Sequence, residues 1–235
     1  MKALFVAGTD TGVGKTIVTG LLARYLLDKG CNVITQKWVQ TGCAGDFSSD
    51  IRLHLKIMGK KKTDISNYIH YVCPYIFKPA CSPHLASKIE NKRTDVNKIK
   101  KSLKILSQQF DFVIVEGAGG ILVPLDRKRL IIDIVKETNL PVLLVAQNKL
   151  GAINHTLLTI EALKIRGVYL LGIVFNNCPK EDKVVLQDNP RIVRLFSGED
   201  VFGALPRITG YDALYELFKP IAKGICKEIT GSKKI

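Results

Sequence analysis

Residues 3–16 read ALFVAGTDTGVGKT: a short apolar run, then glycines spaced among polar residues, then Gly-Lys-Thr opening a longer mixed segment. A strand over 3–7 feeding a glycine-rich turn and a helix over 14–28 is the context in which such a turn cradles phosphate. Glycines let backbone N–H groups turn inward around an anion. The helix N-terminus adds positive potential at the same point. Lys15 is then within reach of β- and γ-phosphates, and the Thr16 hydroxyl suits Mg²⁺. The strict pattern G-x-x-x-x-G-K-S/T asks for glycine where Thr9 stands, whereas here Gly8 lies one residue earlier. The alternative is a glycine-rich turn that carries Gly-Lys-Thr by chance, and the flanking strand and helix weigh against it.

Outward from this turn the pattern alternates strand and helix, which predicts a parallel sheet with helices on both faces. Strands are expected over 32–36, 110–115, 141–146, 169–175 and 201–205. FDFVIV at 110–115 is almost purely apolar, as a strand buried on both faces should be. Ile153, Leu157, Ile160 and Leu163 follow helical spacing, so 152–166 reads as a helix that ends at Gly167. Further helices are expected over 50–58, 95–108 and 212–229, the last interrupted by Pro220. The stretch 71–87 holds three prolines and reads as a loop. No linker or repeat divides the 235 residues. The expected fold is α/β, one doubly wound and mostly parallel sheet of the P-loop NTPase type over 1–235.

The formal charge of +14 raises the question of a nucleic-acid partner. The lysines are scattered, around 60–62, 98–104, 180–183 and 233–234, and no aromatics are interleaved to stack bases. A solvated surface is the expectation, with no nucleic acid bound; a positive field also suits an anionic substrate. No apolar run is long enough to span a membrane, and the basic segment 223–235 lacks an apolar face to lie on one. The apolar start, 1–7, is too short for a signal peptide and is better explained as the first strand. Six cysteines stand at Cys31, Cys43, Cys73, Cys81, Cys178 and Cys226, with no Cys-x-x-Cys spacing for zinc or redox chemistry. They read as reduced thiols in the cytoplasm.

Two further charged positions belong with the phosphate turn. Glu116 follows the buried strand at 110–115 and precedes Gly117-Ala118-Gly119-Gly120, so a carboxylate stands where a metal-binding acid of such sheets should be. Lys37 follows the strand at 32–36, at the end that faces a ligand crevice. An exposed lysine at a strand terminus is the equal alternative.

GTDTGVGKT with its extra residue, Lys37 in QKWVQTG and Glu116 in VEGAGG together resemble the dethiobiotin synthetase family. SSD at 48–50, CSPHLAS at 81–87, KLGAINHTLLT at 149–159 and FNN at 175–177 are similar to further family segments, in the family's order. The likeness runs from residue 3 to about 206 and weakens beyond Pro179. It implies an ATP-dependent ligase that converts 7,8-diaminopelargonic acid and CO2 into dethiobiotin, ADP and phosphate, through a carbamate and a carbamic–phosphoric anhydride.

The resemblance also implies roles. Lys15, Lys37 and Thr11 would be catalytic, with Lys37 steadying the carbamate and the transferring phosphoryl group. Gly12, Val13, Gly14, Lys15, Thr16, Ile17, Asn176 and Pro206 would bind nucleotide. Thr16, Asp50 and Glu116 would hold Mg²⁺. Thr41, where the family usually has serine, and Gly119 would meet the diamine. Gly151, Ala152, Ile153 and Asn154 would bind its carboxylate from the partner subunit of a homodimer. A helix start packed on its own sheet is the alternative for that segment. Neither His84 nor His155 is given a role. Gly12 is a departure, since family members often carry an acid there. The rival reading is a chromosome-partitioning or division-site ATPase that binds DNA or protein. Those proteins carry a signature lysine two residues before the glycine matching Gly12, and here that residue is Asp10.

Overall fold

The computed structural model of the chain describes residues 3–231. Met1, Lys2, Lys233 and Lys234, named above in the start and the basic tail, lie outside the described residues. The elements in chain order are β1 (Ala3–Gly8), α1 (Lys15–Asp28), β2 (Val33–Lys37), β3 (Val39–Gln40), α2 (Ser49–Ile57), a 3-10 turn (Lys62–Tyr68) and α3 (Ile69–Val72). There follow β4 (Tyr75–Ile76), α4 (Pro83–Ile89), α5 (Val96–Gln109), β5 (Phe112–Gly120), α6 (Ile131–Thr138) and β6 (Val142–Asn148). The chain closes with α7 (Ala152–Ile165), β7 (Leu170–Asn177), α8 (Lys183–Ser197), β8 (Val201–Leu205) and α9 (Tyr211–Gly231). Six strands form one sheet in the order β2-β5-β1-β6-β7-β8, and all its pairings are parallel. A two-stranded sheet, β3-β4, stands beside it.

Two-residue alternation sends β1 to both faces. Ala3, Phe5 and Ala7 join one core cluster with Leu103 and Leu106 of α5, Val135 of α6 and Leu163 of α7. Leu4 and Val6 join the other, with Leu21 and Leu22 of α1 and Phe218 and Ile225 of α9. Every residue of β1 is therefore buried, which is why parallel strands read as unbroken apolar runs. The phosphate turn leaves the carboxyl end of β1 between β5 and β6, where the strand order reverses and such sheets bind ligands.

The expected architecture is present, and four local expectations need correction. β5 does not stop at residue 115; it runs to Gly120, so Glu116 is a mid-strand residue, paired in register with both Val6 and Lys37. The stretch read as a loop holds β4 and α4, because Pro83 sits at the start of α4, where its missing N–H has no helical partner to lose. Pro220 does not interrupt α9. The carbonyl it frees belongs to Glu216, four residues back on the exposed side of the helix. Helix α8 was not foreseen, because Pro190 lies inside it.

Candidate active site

A cleft of about 550 Å³ opens over the carboxyl ends of β1, β5 and β2. Thr11, Gly12, Gly14, Lys15 and Thr16 line one side, with Lys37, Asp50 and Glu116 beneath. Thr41, Ala80, Ser82, Pro83, Gly119 and Val123 line the other. The phosphate turn is held by its own backbone. Lys15 Nζ donates to the Asp10 carbonyl at 2.7 Å, and the Thr11 N–H donates to Asp10 Oδ1 at 2.6 Å. A Cβ on Gly14, whose φ is +103°, would sit 2.3 Å from Asn176 Nδ2, so only glycine serves there. That amide donates to the Val13 carbonyl at 3.1 Å and ties β7 to the turn.

Beneath the turn lies a buried charge cluster. Register puts Lys37 and Glu116 side by side on β2 and β5. Lys37 Nζ lies 2.8 Å from Glu116 Oε1, 2.7 Å from Asp50 Oδ2 and 2.8 Å from the Gly117 carbonyl, so its three N–H donors are all engaged. Thr16 Oγ1 donates to the same Glu116 Oε1 at 3.0 Å. Burial by itself favours neutral groups, but here mutual charge wins. Burial pushes the Glu116 carboxyl up, yet Lys37, with help from His54, brings it down to about 2. Lys37 moves upward, because Glu116 and Asp50 outweigh its burial. Lys15 falls to about 8, through burial and then the charge of Lys37, partly offset by Glu116 and Asp50. At neutral pH Lys37 and Glu116 are thus a buried ammonium–carboxylate pair.

Two residues given no role by the sequence stand at the cleft: His54 buried behind Glu116 and Gln40 in its lining. His54 is fully buried on α2, and its Nε2 meets Glu116 Oε2 at 2.8 Å. With that carboxylate ionised, Nε2 carries the proton; Nδ1 is buried without a partner among the described residues. The available signal was spacing, since His54 lies four residues after Asp50 and so shares its helix face. Gln40 of β3 is the second. Its Oε1 accepts from Ser48 Oγ at 2.6 Å and from the Asp50 N–H at 3.2 Å, while Ser48 Oγ caps α2 by accepting from the Ile51 N–H. This chain of bonds aims Asp50 into the cleft, and nothing in the local sequence marks it.

A family described as AAA domain matches residues 2–213. The ATP-dependent dethiobiotin synthetase BioD 2 of Haemophilus influenzae is 42% identical over 186 residues, covering 79% of this chain and 96% of that protein. The ATP-dependent dethiobiotin synthetase BioD of Chlorobaculum tepidum is 39% identical over 209 residues, covering 88% and 86%. The chain belongs to the dethiobiotin synthetase family. Among solved structures, the septum site-determining protein MinD complexed with Mg-ADP from Pyrococcus horikoshii aligns with a TM-score of 0.58 at 17% identity, over 99% of this chain and 96% of that one. The ParA of pNOB8 bound to nonspecific DNA gives 0.60 at 15%, over 99% of both. Likeness at that identity carries the fold alone, so the family relation favours the ligase over the partitioning ATPase.

Measured against the roles this family implies, Thr11, Gly12, Gly14, Lys15, Thr16, Lys37, Thr41, Asp50, Glu116 and Gly119 all line one cleft. Val13 and Ile17 do not; their side chains pack into the core behind the turn. Pro206 follows β8, away from the lining. Gly151, Ala152, Ile153 and Asn154 stand at the start of α7 and do not line the cleft of their own chain. Gly12, at φ +75° with open space where a Cβ would stand, has a backbone that favours glycine. None of the six cysteines forms a disulfide among the described residues, and no helix among the described residues is long and apolar enough to cross a membrane.

Proposed function

We propose that this cleft carries out ATP-dependent carboxylation and ring closure of 7,8-diaminopelargonic acid. One amine of the diamine takes up CO2 as a carbamate. A carbamate oxygen attacks the γ-phosphorus of ATP, the bond to ADP breaks, and a carbamic–phosphoric anhydride results. The second amine attacks its carbonyl carbon, the ureido ring closes, and phosphate leaves. The observation that carries this reading is the Lys37 ammonium, fixed by Glu116 and Asp50 beside Lys15 and Thr16. Negative charge gathers on the carbamate and on the transferring phosphoryl group, and cations oriented beforehand stabilise it without reorganising. The Asp50 side chain is a quarter exposed while that of Glu116 is sealed. The N–H toward Asp50 is therefore the one free to turn to substrate.

Thr16, Asp50 and Glu116 fit a Mg²⁺ ion, being an all-oxygen donor set. Among the described residues no three His, Cys, Asp or Glu side chains converge on a metal, so the ion would take its other ligands from phosphate and water, its usual habit. When bound, it neutralises phosphate charge. Lys15 would hold the β- and γ-phosphates, and Thr11 would border them. Backbone groups from Gly12 to Ile17, with Asn176 and Pro206 toward the base, would bind the nucleotide. Thr41 and Gly119 would meet the diamine. Val39, Ala80, Pro83 and Val123 are apolar lining suited to an aliphatic chain. The start of α7 at Gly151, Ala152, Ile153 and Asn154 would receive the substrate carboxylate from a partner subunit, the Ala152 N–H being already bonded to the Lys149 carbonyl, and the working form would be a homodimer in the cytoplasm. The test is phosphate release and product mass with ATP, Mg²⁺ and bicarbonate, with and without the diamine. Release that requires the diamine, with a dethiobiotin mass, is expected; diamine-independent hydrolysis, or none, overturns the reading.

A further inference from the structure

A second cleft, of about 410 Å³, lies on the other side of α4 from the active site. Lys88, Lys92 and Arg93 come from the α4 end, and Arg127, Lys128 and Arg129 from the turn after β5. The one carboxylate in its lining, Asp126, is already committed. It accepts from the Lys128 and Arg129 N–H groups at 2.7 and 2.8 Å, and from Arg129 Nη2 at 2.8 Å. Lys92 lies over the Phe77 ring. Lys88, Arg93, Arg127 and Lys128 have no carboxylate partner among the described residues. One observation is independent of charge. Thr94 lines the cleft, is 3% exposed, and its Oγ1 is buried with no hydrogen-bond partner among the described residues. A buried hydroxyl without a partner is destabilising unless something supplies one.

We infer that this cleft binds a compact polyphosphate, with Thr94 donating to one of its oxygens. Guanidinium groups from two walls match phosphate oxygens bidentately. The lining holds no Phe, Tyr or Trp, so no base is stacked, and a nucleoside or a nucleic-acid strand is disfavoured. The volume exceeds what a single phosphate fills, which favours a chain of two or three. The two clefts share their walls. His84 lines the second and bonds Ser82, which lines the first, at 3.0 Å. Val123 borders the first on the same turn that carries Arg127. An anion bridging α4 and this turn therefore steadies the side of the active site that faces the diamine.

The test is calorimetric titration of the full chain with tripolyphosphate while saturating ADP fills the phosphate turn. One site per chain is expected. R93Q with R127Q should weaken binding about tenfold or more, from the loss of two charged contacts. T94V should weaken it about threefold. K101Q with K104Q, two exposed lysines of α5 outside the cleft, should change it less than about twofold. ATP cleavage by the R93Q/R127Q chain without tripolyphosphate should match the unaltered protein, since neither arginine lines the active site. Absence of binding once ADP is present overturns the inference. So does a cleft variant that titrates normally, or an equal loss from the α5 lysines.

Discussion

Glu116 serves as acceptor to three neighbours at once: its Oε1 takes Lys37 and Thr16 and its Oε2 takes His54, while the Gly117 carbonyl beside it holds Lys37 again. Its carboxyl lies at about 2 rather than the ordinary 4.5. Such a group stabilises the fold in full above 4.5, and that contribution disappears as pH falls toward 2. E116Q is therefore expected to melt below the unaltered protein near neutral pH, with the gap closing from pH 4.5 downward. A gap independent of pH in thermal melts would contradict this. His54 holds Glu116 Oε2 and leaves Oε1 to Thr16 and Lys37; if Glu116 takes the Mg²⁺ ion as proposed, His54 would orient it as partners behind a ligand commonly do. H54L should raise the Mg²⁺ concentration for half-maximal nucleotide binding about tenfold, and H54Q, which keeps a donor, should recover most of it. Equal effects from both variants in a Mg²⁺ titration followed by a fluorescent nucleotide would reduce His54 to a packing residue.

At the scale of elements, α8 shows how tertiary structure overrides a local signal. Pro190 removes the helical partner of the Leu186 carbonyl, four residues back. Asn148, fully buried at the end of β6, takes that carbonyl through Nδ2 at 2.8 Å, bonds Asn177 Oδ1 at 2.9 Å, and accepts from Asn189 Nδ2 at 2.9 Å. N148L should cost about 2–4 kcal/mol, since it leaves several buried groups without partners; urea unfolding measures it, and a loss below about 0.5 kcal/mol would show the network to be dispensable. The strands buried on both faces and the phosphate turn were legible because their signals are local: apolar runs, glycine spacing, a lysine and a threonine at the helix start. Helix α8 was not, because its proline is compensated from another strand. The far half of β5 was not, because glycines carry no strand preference. That Lys37, Asp50 and Glu116 come together could be read from family likeness; the strand-end argument holds for Lys37 but not for Glu116, which lies inside β5. Gln40 could not, since its work is visible only when β3 lies against α2.

At the scale of the whole chain, the start of α7 does not line the cleft of its own chain. A shared dimer makes a distinct prediction. K37A and N154E should each be inactive alone, while mixtures refolded together should recover about a quarter of normal turnover, because half the dimers then carry one intact site of two. No recovery on mixing would place the carboxylate contact within one chain. The central claim is that CO2 enters as a carbamate whose oxygen takes the phosphoryl group. It is tested most directly by supplying CO2 labelled with ¹⁸O and measuring the mass of the phosphate released in the first turnovers. The mechanism predicts one labelled oxygen in that phosphate, carried over when the ring closes and the anhydride breaks. Unlabelled phosphate, formed while labelled dethiobiotin accumulates, would contradict it.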